Sequence, residues 1–195
     1  LASSLFQKGE RWGYFPGVGF AWKANKDFFT NSSNVNDLKV RLGWGRTGNA
    51  DIVGVAGFYP SSPYFSIGGS NSQYFPGVGT YSALAFNPGL TWETTDTWNG
   101  GIDFSFFKQE RLSGSIDVYQ RKTSNLLAKL PLPPGQGLTN QFTKNVGSLE
   151  NKGVELNLTV VPVKKENLNW SVSGNFAYND GKVLNLGDIS NFQDD

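Results

Sequence analysis

The chain has 195 residues, 24 of them Gly, with 14% aromatic and 17% charged residues, no Cys, His or Met, and a net charge of +1 from 17 basic and 16 acidic side chains. Charged residues fall below the roughly one quarter of an ordinary soluble domain, and Trp 6, Tyr 7 and Phe 15 are too many for a chain selected to stay unfolded. Balanced charge without a dense Lys/Arg tract argues against nucleic acid as a partner. Lacking His and Cys, the chain has no Ser-His-Asp or Cys-His nucleophile, no common zinc site and no disulfide framework.

A start at Leu1 without Met, a basic leader or an apolar leader core reads as a mature piece or an excised segment. The first alternating stretch, residues 12–22, sets Trp12, Tyr14, Pro16, Val18, Phe20 and Trp22 against Gly13, Gly17, Gly19 and Ala21. Polar residues 23–37 follow, and residues 25–37 are the one place for a short helical turn. Residues 38–47 alternate again, Leu38, Val40, Leu42 and Trp44 against Lys39, Arg41 and Gly43. A long connection, 48–89, precedes the third stretch, 90–107, whose even positions are apolar or neutral except for Asp96. Strands near 111–127, 150–162 and 168–179 complete the set; the last alternates Leu168, Trp170, Val172, Phe176 and Tyr178 with Asn169, Ser171, Ser173 and Asn175. Period two is the mark of a strand with one apolar and one polar face.

The connections alternate too. Tight charged turns at 108–111 and 164–167 contrast with the long segments 48–89 and 128–149, which are unusual inside a compact domain. All long connections fall on one side of the sheet and all short ones on the other, as in outer-membrane barrels. No run reaches the roughly 18 to 20 apolar residues of a spanning helix, so a membrane role must come from strands. Aromatics near the strand ends, Trp12, Trp22, Trp92, Trp170 and Tyr178, fit interface girdles. The expected fold is therefore all-β, an antiparallel up-and-down meander of about six strands belonging to a large transmembrane β-barrel. Its polar face, with Lys39, Arg41, Glu93, Asp103, Glu155 and Asn157, would line a wet lumen. The alternative is a soluble extracellular β-sandwich that binds glycans through surface aromatics.

Chemistry is limited to carboxylates. Glu93 and Asp96 fall on opposite faces of one strand, and Glu150 lies at a loop junction away from Glu155, so no pair suits glycoside hydrolysis and no enzyme is expected. No metal or cofactor site is expected either. The Gly clusters 43–45 and 77–79 lack the Lys-Ser/Thr of a phosphate loop. YFPGVG occurs twice, at 14–19 and 74–79, as shared aromatic-Pro-Gly turn chemistry rather than a repeat. In the longest connection, Tyr59, Tyr64, Phe65, Tyr74, Phe75 and Tyr81 sit among Ser, Asn and Pro residues. Aromatic faces beside amide and hydroxyl groups suit a sugar ring or a peptide backbone.

Six segments in register carry a resemblance: WGYFPGVGFAW (12–22), LKVRLGWGRTGN (38–49), NPGLTWETT (87–95), GGIDFSFFKQERLSGSIDVYQRKTSNLL (100–127), LPLPPGQG (130–137) and VGSLENKGVEL (146–156). Together they resemble the C-terminal barrel half of SusC/RagA-type TonB-dependent outer-membrane receptors of Bacteroidetes. The resemblance implies a barrel of the 22-stranded type, located in the Gram-negative outer membrane and set in its lipid. It also implies a plug coupled to TonB-ExbB-ExbD, a SusD-like surface lipoprotein, and uptake of oligosaccharide or oligopeptide cargo. No segment matches the plug, the TonB box or the aromatic-terminated last strand, so the chain reads as an internal fragment, roughly a quarter of such a barrel.

Overall fold

The computed structural model describes residues 1–29, 34–51, 61–63, 65–67, 73–75, 78–79, 81–83, 86–131 and 141–186. In chain order the strands are β1 (Gly17–Lys23), β2 (Val35–Asn49), β3 (Phe65–Ile67), β4 (Gln73–Phe75), β5 (Val78–Gly79), β6 (Tyr81–Ala83), β7 (Glu93–Phe106), β8 (Leu112–Ser124), β9 (Leu127–Pro131), β10 (Gln141–Asn145), β11 (Ser148–Lys165) and β12 (Leu168–Asn185). One short helix, α1 (Ala24–Phe28), follows β1. The long strands form a six-stranded antiparallel sheet, β1-β2-β7-β8-β11-β12, in which each strand pairs with the next long strand of the chain. The short strands make hairpins inside the long connections: β3 pairs with β6, β4 with β5, and β9 with β10. The second YFPGVG copy straddles the β4–β5 hairpin, whereas in the first copy Gly17 opens β1, so the two copies share no structural role.

Several strand boundaries differ from the alternation pattern, for local reasons. Strand β1 begins at Gly17 rather than at residue 12 because the first thirteen residues close on themselves: Ser3 N donates to Arg11 O (3.0 Å), Gly13 N to Leu1 O (2.9 Å), and Ala2 bridges Trp12. Strand β7 begins at Glu93 because Leu90 and Trp92 are drawn into a buried cluster. Strand β8 stops at Ser124, before Asn125 turns left-handed at φ 59°. Strand β12 continues past residue 179 to Asn185, paired with β11 throughout.

The register sorts the side chains into two faces. One row across the sheet reads Trp22, Val40, Ile102, Ile116, Leu156, Phe176; the next reads Phe20, Leu42, Gly100, Val118, Val154, Tyr178. Phe20, Leu42, Val172 and Phe176 are 50–62% exposed on this face. A sandwich would pack its apolar faces together, and among the described residues no second sheet covers this one, so the structure lends the sandwich alternative no support. The opposite face carries Lys39, Arg41, Asp103, Asp117, Glu155 and Asn157 in neighbouring rows.

The apolar belt does not run parallel to the register rows. Toward the long connections it ends at Trp44 and Trp98 on β2 and β7, but the same row holds Gln120, Lys152 and Asp180 on β8, β11 and β12. Toward the short turns it ends at Trp22 on β1 yet continues to Phe106, Leu112, Val160, Trp170 and Leu168 on later strands. The long-connection edge steps by one two-residue pleat between β7 and β8, and the short-turn edge steps farther, so the belt lies oblique to the register rows and the strands are tilted from its normal.

The buried core lies at the long-connection end, not within the sheet. Phe6, Leu90 and Trp92 are its buried members, with Leu5, Phe15, Ala50 and Leu127 packed against them. Trp92 therefore does not serve an interface girdle: its ring meets Phe6 at 5.4 Å and Phe15 at 5.1 Å. Tyr178, opposite Val154, is the last apolar side chain on that face of β12 before Asp180 and so stands at the belt's long-connection edge. At the other end the short turns are stitched together. Phe107 N donates to Asn34 O (2.7 Å), Asn36 Nδ2 to Phe107 O (2.6 Å) and Lys164 Nζ to Gln109 O (2.9 Å).

Candidate functional site

Two features of the sheet can meet a ligand: its polar face and the rim built by the long connections. On the polar face, alternation in β2, β7 and β8 directs Arg41, Asp103 and Asp117 the same way, and the register brings them together. Arg41 Nε and Nη2 donate to Asp103 Oδ2 (2.9 Å) and Oδ1 (2.7 Å), and Nη2 also reaches Asp117 Oδ1 (2.8 Å). Asp117 lies two strands away in the row Arg41, Gly101, Asp117. Gly101 makes that reach possible, because a Cβ there would collide with Asp117 Oδ1 and the Arg41 guanidinium. Each of the three charged side chains is about one-third exposed, so the network stands in contact with water.

The same device recurs farther along. The Tyr119 ring crosses Gly153, and its hydroxyl donates to Asn179 Oδ1 on β12. Asn157 Nδ2 donates to Ser115 Oγ (3.3 Å), and the Thr159 and Ser173 hydroxyls pair at 2.9 Å. The result is a wall of fixed amides, hydroxyls and one shared guanidinium, able to bind or guide a polar solute.

All six polar-face residues named from the sequence lie on this face, but they do not form one cluster. Lys39, 4.0 Å from Asp103, joins Arg41 and Asp103. Glu155 stands opposite Asp117 in the register, with Asn157 one pleat farther along the same strand. Glu93 is remote, at the long-connection end of β7 opposite Asn49. Asp117, Tyr119 and Asn179 were not singled out; their alternation was visible, but their partners depend on register. Among the described residues, no three His, Cys, Asp or Glu side chains are grouped to hold a metal ion.

The rim ties three chain segments together. Gln7 Nε2 donates to Ser61 O (2.6 Å) and Ser61 Oγ to Leu5 O (2.8 Å), fastening the N-terminal turn to the longest connection. Thr91 Oγ1 donates to Glu10 Oε2 (2.8 Å), while Asn145 exchanges bonds with the Thr91 backbone at 2.9 and 2.8 Å. The short hairpins of the longest connection carry the aromatic candidates. Phe65 on β3, Phe75 on β4 and Tyr81 on β6 are exposed; Tyr74 is also on β4, and Tyr59 and Tyr64 lie outside the described residues.

A family model described as TonB dependent receptor-like, beta-barrel matches residues 3–194. The chain is 39% identical, over 97% of its length, to the TonB-dependent receptor SusC of Bacteroides thetaiotaomicron, and it covers 19% of that protein. It is 35% identical to the TonB-dependent receptor P39 of Formosa agariphila over 98% of its length, covering 18% of it. Among solved structures, the RagAB peptide transporter aligns with a TM-score of 0.82 at 30% identity over 96% of this chain and 20% of that one. The RagAB peptide importer in its open-open state aligns with a TM-score of 0.80 at 28% identity, over 94% of this chain and 19% of that one. The chain thus spans about a fifth of the length of the relatives it matches.

Proposed function

Since the chain belongs to the TonB dependent receptor-like β-barrel family, we propose that it forms part of the wall of an outer-membrane importer that takes up oligosaccharides or oligopeptides. The observation that carries this reading is the uncovered apolar belt backed, on the same strands, by a polar wall: one face suits lipid and the other a hydrated lumen. A belt that lies oblique to the register rows agrees with tilted strands closing into a barrel, here of the 22-stranded type. In this orientation Lys39, Arg41, Glu93, Asp103, Glu155 and Asn157 face the lumen and the long connections stand outside the cell.

The role is transport rather than catalysis. Cargo meets the rim first, where Phe65, Tyr74, Phe75 and Tyr81, with Tyr59 and Tyr64, offer aromatic faces to sugar rings or peptide backbone. A SusD-like surface lipoprotein would cover that rim. A plug elsewhere in the protein would couple release to TonB-ExbB-ExbD. Uptake by cells producing the full-length receptor tests this: labelled oligosaccharide mixtures and mixed oligopeptides are offered with and without TonB. The expected result is TonB-dependent accumulation of one cargo class, reduced several-fold by F65A/Y81A. Accumulation of neither class, or uptake indifferent to TonB, would overturn the proposal.

A further inference from the structure

We propose that the apolar face carries, at its long-connection edge, a binding site for a phosphate-bearing acyl lipid, centred between Arg46 and Lys122 beside the Trp44–Trp98 pair. This inference rests on the reading of that face as the membrane face. One pleat beyond the two indoles, the register lines up Arg46, Asp96, Lys122, Glu150 and Lys182, alternating in sign across five strands. The row lies about 7 Å past the last aromatic ring, the depth at which lipid phosphates succeed acyl chains.

The pairing within the row leaves positive groups available. Arg46 Nε and Nη2 grip Asp96 Oδ1 and Oδ2, both at 2.8 Å, which fixes the guanidinium plane and leaves Nη1 uncommitted. Both oxygens of Asp96 are held by Arg46, so Lys122, its cross-strand neighbour, attracts that carboxylate only at longer range and makes no side-chain hydrogen bond or close ion pair among the described residues. Glu150, on its other side, accepts a hydrogen bond from Gln120. Along this edge Arg46, Lys122, Lys152 and Lys182 outnumber Asp96, Glu150 and Asp180, leaving one positive charge over.

Between the two cations is a concavity of about 330 Å³ lined by Trp44, Arg46, Asp96, Trp98, Gln120 and Lys122. Its indoles lie 6.0 Å apart at 43°, and Trp98 is 61% exposed. A small anion would need only the cations. An amphiphile uses both parts, the phosphate meeting Arg46 and Lys122 through charge-assisted bonds and the chains lying along the indoles.

Photo-crosslinking in the full-length receptor tests the site. Val118, exposed on the belt one pleat from Gln120, is replaced by p-benzoyl-phenylalanine. The receptor is placed in phosphatidylethanolamine nanodiscs doped with bisphosphorylated lipid A. Adduct yield with lipid A should fall at least fivefold in Lys122→Gln or when the lipid is dephosphorylated. Lys122→Arg should restore it, and Lys165→Gln, at the opposite edge, should leave it unchanged; unaltered heat-modifiable migration confirms that each variant folds. Equal yields from Lys122→Gln, or from dephosphorylated lipid, overturn the phosphate site while captured phosphatidylethanolamine keeps the membrane face standing. Capture of no lipid at all overturns both.

Discussion

Glycine on the polar face is a spacing device. Arg41 bonds Asp117 across two strands only because Gly101 leaves the intervening position empty, and Tyr119 reaches Asn179 across Gly153 in the same way. On the apolar face the Phe104 ring covers Gly114, filling with an aromatic the surface that the missing side chain exposes. The contrast with Gly174 yields a prediction, since an added methyl there meets nothing within 4 Å. Gly101→Ala should displace the guanidinium and lower stability by about 1–3 kcal/mol, whereas Gly174→Ala should be neutral or slightly stabilising; urea midpoints of the full-length receptor in detergent measure both. Alternation in the sequence already placed Lys39, Arg41 and Asp103 on one face. It could not pair Arg41 with Asp117, because the partner across a glycine is chosen by register, and register is a relation between distant segments.

Each long strand divides its environment by parity, so adjacent residues have opposite tolerances. Val172 is half-exposed on the apolar face opposite Val160, while Ser173 lies on the polar face bonded to Thr159. If that apolar face meets lipid, Val172→Arg should cost about 2–4 kcal/mol near mid-membrane and hinder assembly. Ser173→Arg should assemble normally, the two being compared by heat-modifiable mobility of the membrane fraction. Equal behaviour of the pair would sink the two-face assignment. Parity also explains a limit of reading strands from pattern alone. In β11 the register shifts between Val160 and Val163, so Val163 pairs with Trp170 and rejoins the apolar face after an odd step that simple alternation would place outside it. Likewise Leu90 and Trp92 continue the β7 pattern perfectly, yet contact with Phe6 removes them from the strand.

Taken as one object, the sheet is open on both sides. Strand β12 is exposed along its whole length, and β1 and β12 each have one paired neighbour among the described residues. Unpaired backbone edges and an uncovered apolar belt are incompatible with a stable monomer in water. The 195 residues expressed alone should aggregate; a monodisperse, cooperatively unfolding monomer by light scattering and calorimetry in detergent-free buffer would contradict the barrel reading. The match to about a fifth of each relative's length agrees with a wall segment that needs its neighbours.

Local pattern was enough to find the six long strands, though not their ends, together with the apolar face of each and the side on which the long connections lie. Those properties follow from the two-residue pleat and from chain length between strands, both of which act over a few residues. The tilt of the belt, the Arg41–Asp103–Asp117 network, the burial of Trp92 beside Phe6, and the ladder from Arg46 to Lys182 belong to the assembled sheet. They arise from which segments lie side by side and in what register, a choice made by many weak contacts between residues far apart in the chain.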